Sequence, residues 1–239
     1  MAVRPDRSYL TRSQADVAGI DVGLRSYMLR VYNYMCVALA VSGAVAFFVS
    51  TSPTMQQAIF GTPLMWVVFL APLGLVFFLS ARINKMSAAA AQTTFWIFAA
   101  LMGMSLASIF IVYTPESVTR VFFITAGAFA GLSLVGYTTK KDLSGMGTFL
   151  FMGVIGLVIA MVVNIFLGSS MLQLGISVIG VLIFAGLTAY DTQKIKLMYV
   201  EADGAEVTAK KSIMGALTLY LDFLNMFLFL MRILGSTRN

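Results

Sequence analysis

Histidine is absent from this chain and cysteine occurs once, as Cys36. Without histidine there is no Ser-His triad, no histidine-ligated zinc or haem, and no imidazole switch near neutral pH. A lone cysteine, here inside the first apolar run, permits neither an internal disulfide nor a thiolate cluster, and it reads as a small packing residue. Charge is the third shortage. Only 11% of the 239 residues are charged, against about 25% in an ordinary globular chain, too few to build a water-facing surface. Any proton chemistry is left to carboxylates.

What fills the chain instead is apolar: 59% of residues are hydrophobic and the mean hydropathy is +0.91. Runs near the ~20 residues that cross a bilayer recur between short polar breaks. Seven spans are predicted, at 27–50, 63–81, 89–113, 118–137, 147–167, 171–190 and 213–234. Pro53, Asn84 with Lys85, Pro115, Lys140 with Lys141, Gly168 and a long charged loop over 194–211 punctuate them. The expected fold is all-α, a polytopic membrane protein in which residues 27–239 form the transmembrane domain. Residues 1–26 form a polar tail with no secretory signal, its middle (Ser13, Gln14, Asp16) either a short interfacial helix or disordered.

The sixteen Lys and Arg against ten Asp and Glu give a net charge of +6. These basic residues sit in the breaks, where they act as topology signals and headgroup contacts, so no nucleic-acid partner is expected. Thirteen of the sixteen lie on one side if the amino terminus is cytoplasmic, leaving only Arg120, Arg232 and Arg238 outside. Seven crossings then put the carboxyl terminus on the far side. A six-span form with 213–234 re-entrant also satisfies the count. Gly127 with Gly131 and Gly153 with Gly156 suggest close helix packing within the bundle, or alternatively a dimer motif. The sixteen Met are expected as core filler.

Eight of the ten acidic residues fall in the tail, loops or span ends. Asp222 is well inside the seventh run, and Asp191 is about a turn inside the end of the sixth. A carboxylate at membrane depth costs about 2.5–3.5 kcal/mol on insertion scales, so it faces the bundle interior and seeks a partner. Successive spans are usually neighbours, which would bring Asp191 to Asp222, with Asn225 three residues on adding an amide. Two carboxyls meeting in a dry place tend to share a proton and form a pH sensor without histidine. Their oxygens also suit Ca²⁺, which takes about six to eight oxygens; two carboxylates supply about four at most, so water and carbonyls complete a weak site fit for passage. The plainer readings are a protonated packing carboxyl at Asp222 and a snorkelling one at Asp191, near Lys194. Arg82, ending the second span at the level of Asp191, is either a positive-inside anchor or a latch paired with it. No cofactor is expected.

Four stretches carry a family resemblance: GYTTKKDLSGMGTFLFMG (136–153), VVNIFL (162–167), AYDTQKIK (189–196) and LYLDFLNMFLFLMRILG (219–235). In order and together they resemble the Bax inhibitor-1 family in its bacterial branch, over roughly residue 20 to the end. The resemblance implies a seven-helix bundle with the seventh helix central. It also implies that Asp191 and Asp222 form a dyad governing a pH-sensitive Ca²⁺ leak, with Arg82 as its latch. Family members are further linked to suppression of cell death and, in bacteria, to restraint of a membrane AAA protease. The second span lacks the acidic residue that some bacterial members carry there.

Two functions follow as expectations. One is a cation leak channel gated by the Asp191/Asp222 pair; protonation would weaken ion binding but release an Arg82 latch, so the sign of the pH effect stays open. The other is a non-transporting regulator that binds a membrane protease or another partner. An intramembrane aspartyl protease is rejected, because Leu219, Tyr220 and Leu221 precede Asp222 where such enzymes resemble Gly-x-Gly-Asp.

Overall fold

In the computed structural model, which describes residues 12–238 and side chains from residue 22, helices follow one another with little between them. They are α1 (Arg12–Thr51), α2 (Pro53–Phe60), α3 (Leu64–Arg82), α4 (Ala88–Val112), α5 (Pro115–Thr138), α6 (Ser144–Leu167), α7 (Ser170–Leu197) and α8 (Ala205–Leu234), with one 3₁₀ turn at Ile83–Lys85. All but α2 are long and apolar enough to cross a membrane. Residues 1–11 of the expected tail lie outside the described residues; 12–21 continue the backbone of α1 as helix, and the first span runs Val22–Thr51.

Local chemistry sets the boundaries. Ser52, Ser87, Thr114 and Ser169 each accept a hydrogen bond from the backbone N–H three residues on, capping α2, α4, α5 and α7. Pro53 and Pro115 follow their caps at the first helical position, where a missing N–H costs nothing. Pro53, expected as a simple break, thus starts a short helix that the hydrophobic pattern did not predict. Gly168 ends α6 at φ +61, a left-handed geometry suited to glycine. The charged loop expected over 194–211 is mostly helix: α7 runs on to Leu197 and α8 begins at Ala205. Lys194 and Lys196 favour the last turn of α7 and Glu206 the first turn of α8, each complementing the helix dipole.

The bundle is built around α8, which packs against α1, α3, α4, α5 and α7. Because α5, α6 and α7 intervene, the α4–α5 junction and the α7–α8 loop lie on opposite faces. Near its start, Lys211 Nζ donates to Met198 O at 2.8 Å. Beyond its end, Arg238 N–H donates to Val112 O and Thr114 N–H to Ser236 O, both at 2.9 Å, while Arg120 Nη2 donates to Leu234 O at 3.0 Å. The last helix therefore runs from one face to the other, which replaces the re-entrant alternative with seven full-length helices. Arg120, one of the three basic residues on the far side, thus satisfies a terminal carbonyl of α8.

Close helix approach uses mostly other glycines than those expected. Gly127, Gly131 and Gly156 face open space, whereas a Cβ at Gly136 would run into the Ala189 carbonyl of α7. Only Gly153, against Ile183, makes the close contact expected of it. In α3, Pro72 has no N–H for the Val68 carbonyl; the Ser105 hydroxyl of α4 donates to it instead at 2.7 Å.

Candidate functional site

Helices α7 and α8 run antiparallel. Gly180 seats the Phe229 ring and Gly215 admits Ile195, so the two backbones approach closely along their length. This pairing brings the carboxyl groups of Asp191 and Asp222 within hydrogen-bonding reach of each other. Asp191 is 8% and Asp222 4% exposed, and Asp222 Oδ2 has no hydrogen-bond partner among the described residues. An ionised carboxylate only accepts hydrogen bonds, so the two groups bond to each other only when the pair holds a proton. Lys194, one turn along α7, exerts an electrostatic attraction on Asp191 while its ammonium lies 5.8 Å from the Tyr190 ring centre.

The structure does not bring Asn225 to this pair. Three residues rotate a helix by about 300°, and the remaining offset turns Asn225 toward α3 and α4. There its Nδ2 donates to Leu221 O at 2.8 Å, and the side chain lines a cavity of about 590 Å³ with Ser105, Ser108 and Arg232. Arg82 is not brought there either. Its side chain is exposed at the end of α3, which packs on α4 and the edge of α8, whereas α7 packs on α5, α6 and α8. Among the described residues the ion pairs are Lys210–Glu206 and Lys211–Asp203, and neither involves the carboxyl pair.

Sequence reasoning missed the polar scaffold that fixes Asp191. Thr192 is fully buried and its hydroxyl contacts Ser133 Oγ at 3.0 Å; Ser133 in turn meets Tyr32 OH at 2.6 Å, tying α7 to α5 and α1. Gln193 clamps the α5–α6 loop from both sides, accepting from Leu143 N–H at 2.9 Å and donating to Lys141 O at 2.8 Å. Lys196 donates to Tyr137 O at 2.7 Å, and the Tyr190 ring lies over Gly147. On α8, Tyr220 OH meets Ser42 Oγ at 2.7 Å, and that hydroxyl donates to Ala99 O at 2.7 Å. The stretches 136–153 and 189–196 are thus two halves of one contact. The available signal was a run of polar residues, Asp191 to Lys194, at a helix end that packing needed to bury.

Among the described residues, no group of three or more Cys, Asp or Glu side chains is placed to hold a metal ion. The pair can hold a proton, or lend its oxygens to a cation whose other ligands come from water or backbone.

A bundle of seven apolar helices with α8 at its centre, one buried carboxyl on α8 and another on α7, defines a polytopic α-helical integral membrane protein. The family model described as inhibitor of apoptosis-promoting Bax1 matches residues 24–239. The chain belongs to the Bax inhibitor-1 family. Among its relatives, the inner membrane protein YbhL of Escherichia coli is 47% identical over 90% of this chain and 94% of its own length. A protein of Rickettsia prowazekii is also 47% identical, over 92% and 93%, and one of Caulobacter vibrioides 45%, over 98% of each chain.

Proposed function

We propose that the protein is a pH-sensitive leak pathway for Ca²⁺ and similar cations across a bacterial inner membrane, with its amino terminus in the cytoplasm. The observation that carries this reading is the meeting of Asp191 and Asp222 in the bundle interior with one carboxylate oxygen left unpartnered. A buried acid without a full set of partners is costly, and a transient cation ligand accounts for its retention. Ca²⁺ and the shared proton compete for the same oxygens, so with Arg82 away from the pair, flux falls as pH falls. The location of the Escherichia coli relative and the distribution of basic residues support the membrane and the orientation.

The test is Ca²⁺ flux into liposomes holding wild type, Asp191→Asn or Asp222→Asn across pH 5–8. Each amide variant is expected to lower flux about tenfold and flatten its pH dependence. Equal flux through wild type and Asp222→Asn would sink the proposal.

A second reading, a non-transporting regulator that restrains a membrane protease, is favoured by the family's description as an inhibitor. Its mark would be partner co-purification that depends on residues 1–20 while flux does not.

A further inference from the structure

Helices α1 and α5 both pack on α8, yet beyond the Tyr32–Ser133 hydrogen bond they form no extensive interface with each other. Between them lies a cleft of about 710 Å³ whose walls are apolar except for Arg25, Tyr32, Ser133 and Tyr137, and whose floor includes Phe223 of α8. Through Arg25 and Leu29 it opens onto an exposed face of α1 that also carries Val22, Ser26, Arg30 and Asn33.

We propose that this composite cleft is a binding site for one anionic phospholipid, its phosphate held by Arg25 and Arg30 and one acyl chain lying between α1 and α5 on Phe223.

Three features support this occupant. First, the polarity is split as an amphiphile's is, with two guanidinium groups and an amide at one end and hydrocarbon walls beyond. Arginine offers planar, paired donors that match phosphate oxygens, and neither Arg25 nor Arg30 forms an ion pair among the described residues. Second, the length fits. From Arg25 to Leu39, both lining residues, α1 rises about 21 Å, more than the ~15 Å hydrocarbon half-thickness of a bilayer that one acyl chain fills. Third, the floor reaches the central helix: Phe223 is only 3% exposed and packs edge-on against Phe122 and Phe129 of α5. A lipid of the bulk annulus would touch only the outer walls; this one touches the residue that follows Asp222.

The experiment is native mass spectrometry of the full-length protein released from micelles carrying equal phosphatidylglycerol and phosphatidylcholine. Wild type is expected to retain one phosphatidylglycerol at least fivefold over phosphatidylcholine. The Arg25→Ala/Arg30→Ala variant is expected to lose that headgroup preference. Ala126→Trp, which fills the cleft from α5, is expected to lose the retained lipid, and Lys85→Ala, on the same face outside the cleft, to behave as wild type. Circular dichroism establishes that each variant is helical before it is scored. Equal retention of the two lipids by wild type, preference surviving in the double variant or in Ala126→Trp, or equal loss in Lys85→Ala would overturn the proposal.

Discussion

Helices α6 and α8 invert the rule that governs proteins in water. The most apolar stretch of α6 has a mean hydropathy of 2.7, yet only 17% of it is buried; that of α8 has 1.8, and 67% is buried. In water the more apolar helix would be the inner one. Lipid tails are as apolar as leucine, so nothing drives α6 inward, and Phe166 on its surface stays 84% exposed. What is drawn inward is whatever lipid cannot solvate: Asp222, the Tyr220 hydroxyl and the close-packed surfaces beside them. In this bundle polar groups mark the central helix, and greater hydrophobicity alone does not draw a helix inward.

The sharpest way to break this comparison is to add one methyl group to each region. Gly180→Ala places a Cβ against the Phe229 ring, which Phe184 already holds in a stack at 6.0 Å between centres, so the ring has little room to retreat. A loss of about 3 kcal/mol is expected. Gly156→Ala on α6 meets nothing within 4 Å and is expected to be neutral or to gain up to about 1 kcal/mol from helix propensity. Unfolding in mixed micelles measures both; equal shifts would refute the division into centre and rim. Next in size is Gln193→Ala, which frees Lys141 O and Leu143 N–H and should cost about 2 kcal/mol. Its signature is faster hydrogen exchange in residues 139–143 and no comparable change in α6.

The same contrast explains what was legible in the sequence. Span existence rests on run length, a property each segment carries alone, and all seven were found, although α7 runs on to Leu197 past its expected end at 190 and α8 begins at Ala205 before its expected start at 213. The burial of Asp191 and Asp222 on the paired helices α7 and α8 was also legible, because an acid at membrane depth must turn inward and successive helices pair. Side-chain partners that depend on rotation about a helix axis were not. Asn225 was expected at the pair and faces α3 and α4; Gly127 and Gly131 were expected inside and face outward. In a segment apolar on every side, no amphipathic stripe marks which face is which. Gln193 and Thr192 escaped for another reason: their partners lie in a loop and in another helix, and no local spacing encodes that.

Helix α3 lies between the two extremes in what it depends on. It is as little buried as α6, at 17% of its most apolar stretch, but Pro72 makes it rely on a neighbour. Ser105→Ala removes the hydroxyl that serves the Val68 carbonyl at 2.7 Å. The cost should be about 1 kcal/mol, in the range of interhelical hydrogen bonds in membranes. Amide exchange should quicken around residue 72 and stay unchanged in α8; an unchanged α3 would mean that water or another donor replaces the hydroxyl.

The smallest effect is expected at the start of α6, in the α5–α6 loop and outside the spans. The Asp142 carboxyl accepts from Ser144 N–H at 2.9 Å, and the Ser144 side chain and then its backbone N–H hold it below the usual carboxylate range. For a depressed acid, the stabilising contribution is present above the unfolded value of about 3.9 and is lost as pH falls through the lower folded value. Acidification below about pH 4 should therefore speed Ser144 amide exchange, after correction for its intrinsic pH dependence, with no change between pH 5 and 8. Asp142→Asn should abolish that acid step. Because Asp142 is fully exposed and α6 is held by lipid more than by the bundle, global unfolding should not follow the step. If it did, the rim would be coupled to the centre through the loop that Gln193 clamps, and the two regions would have to be treated as one cooperative unit.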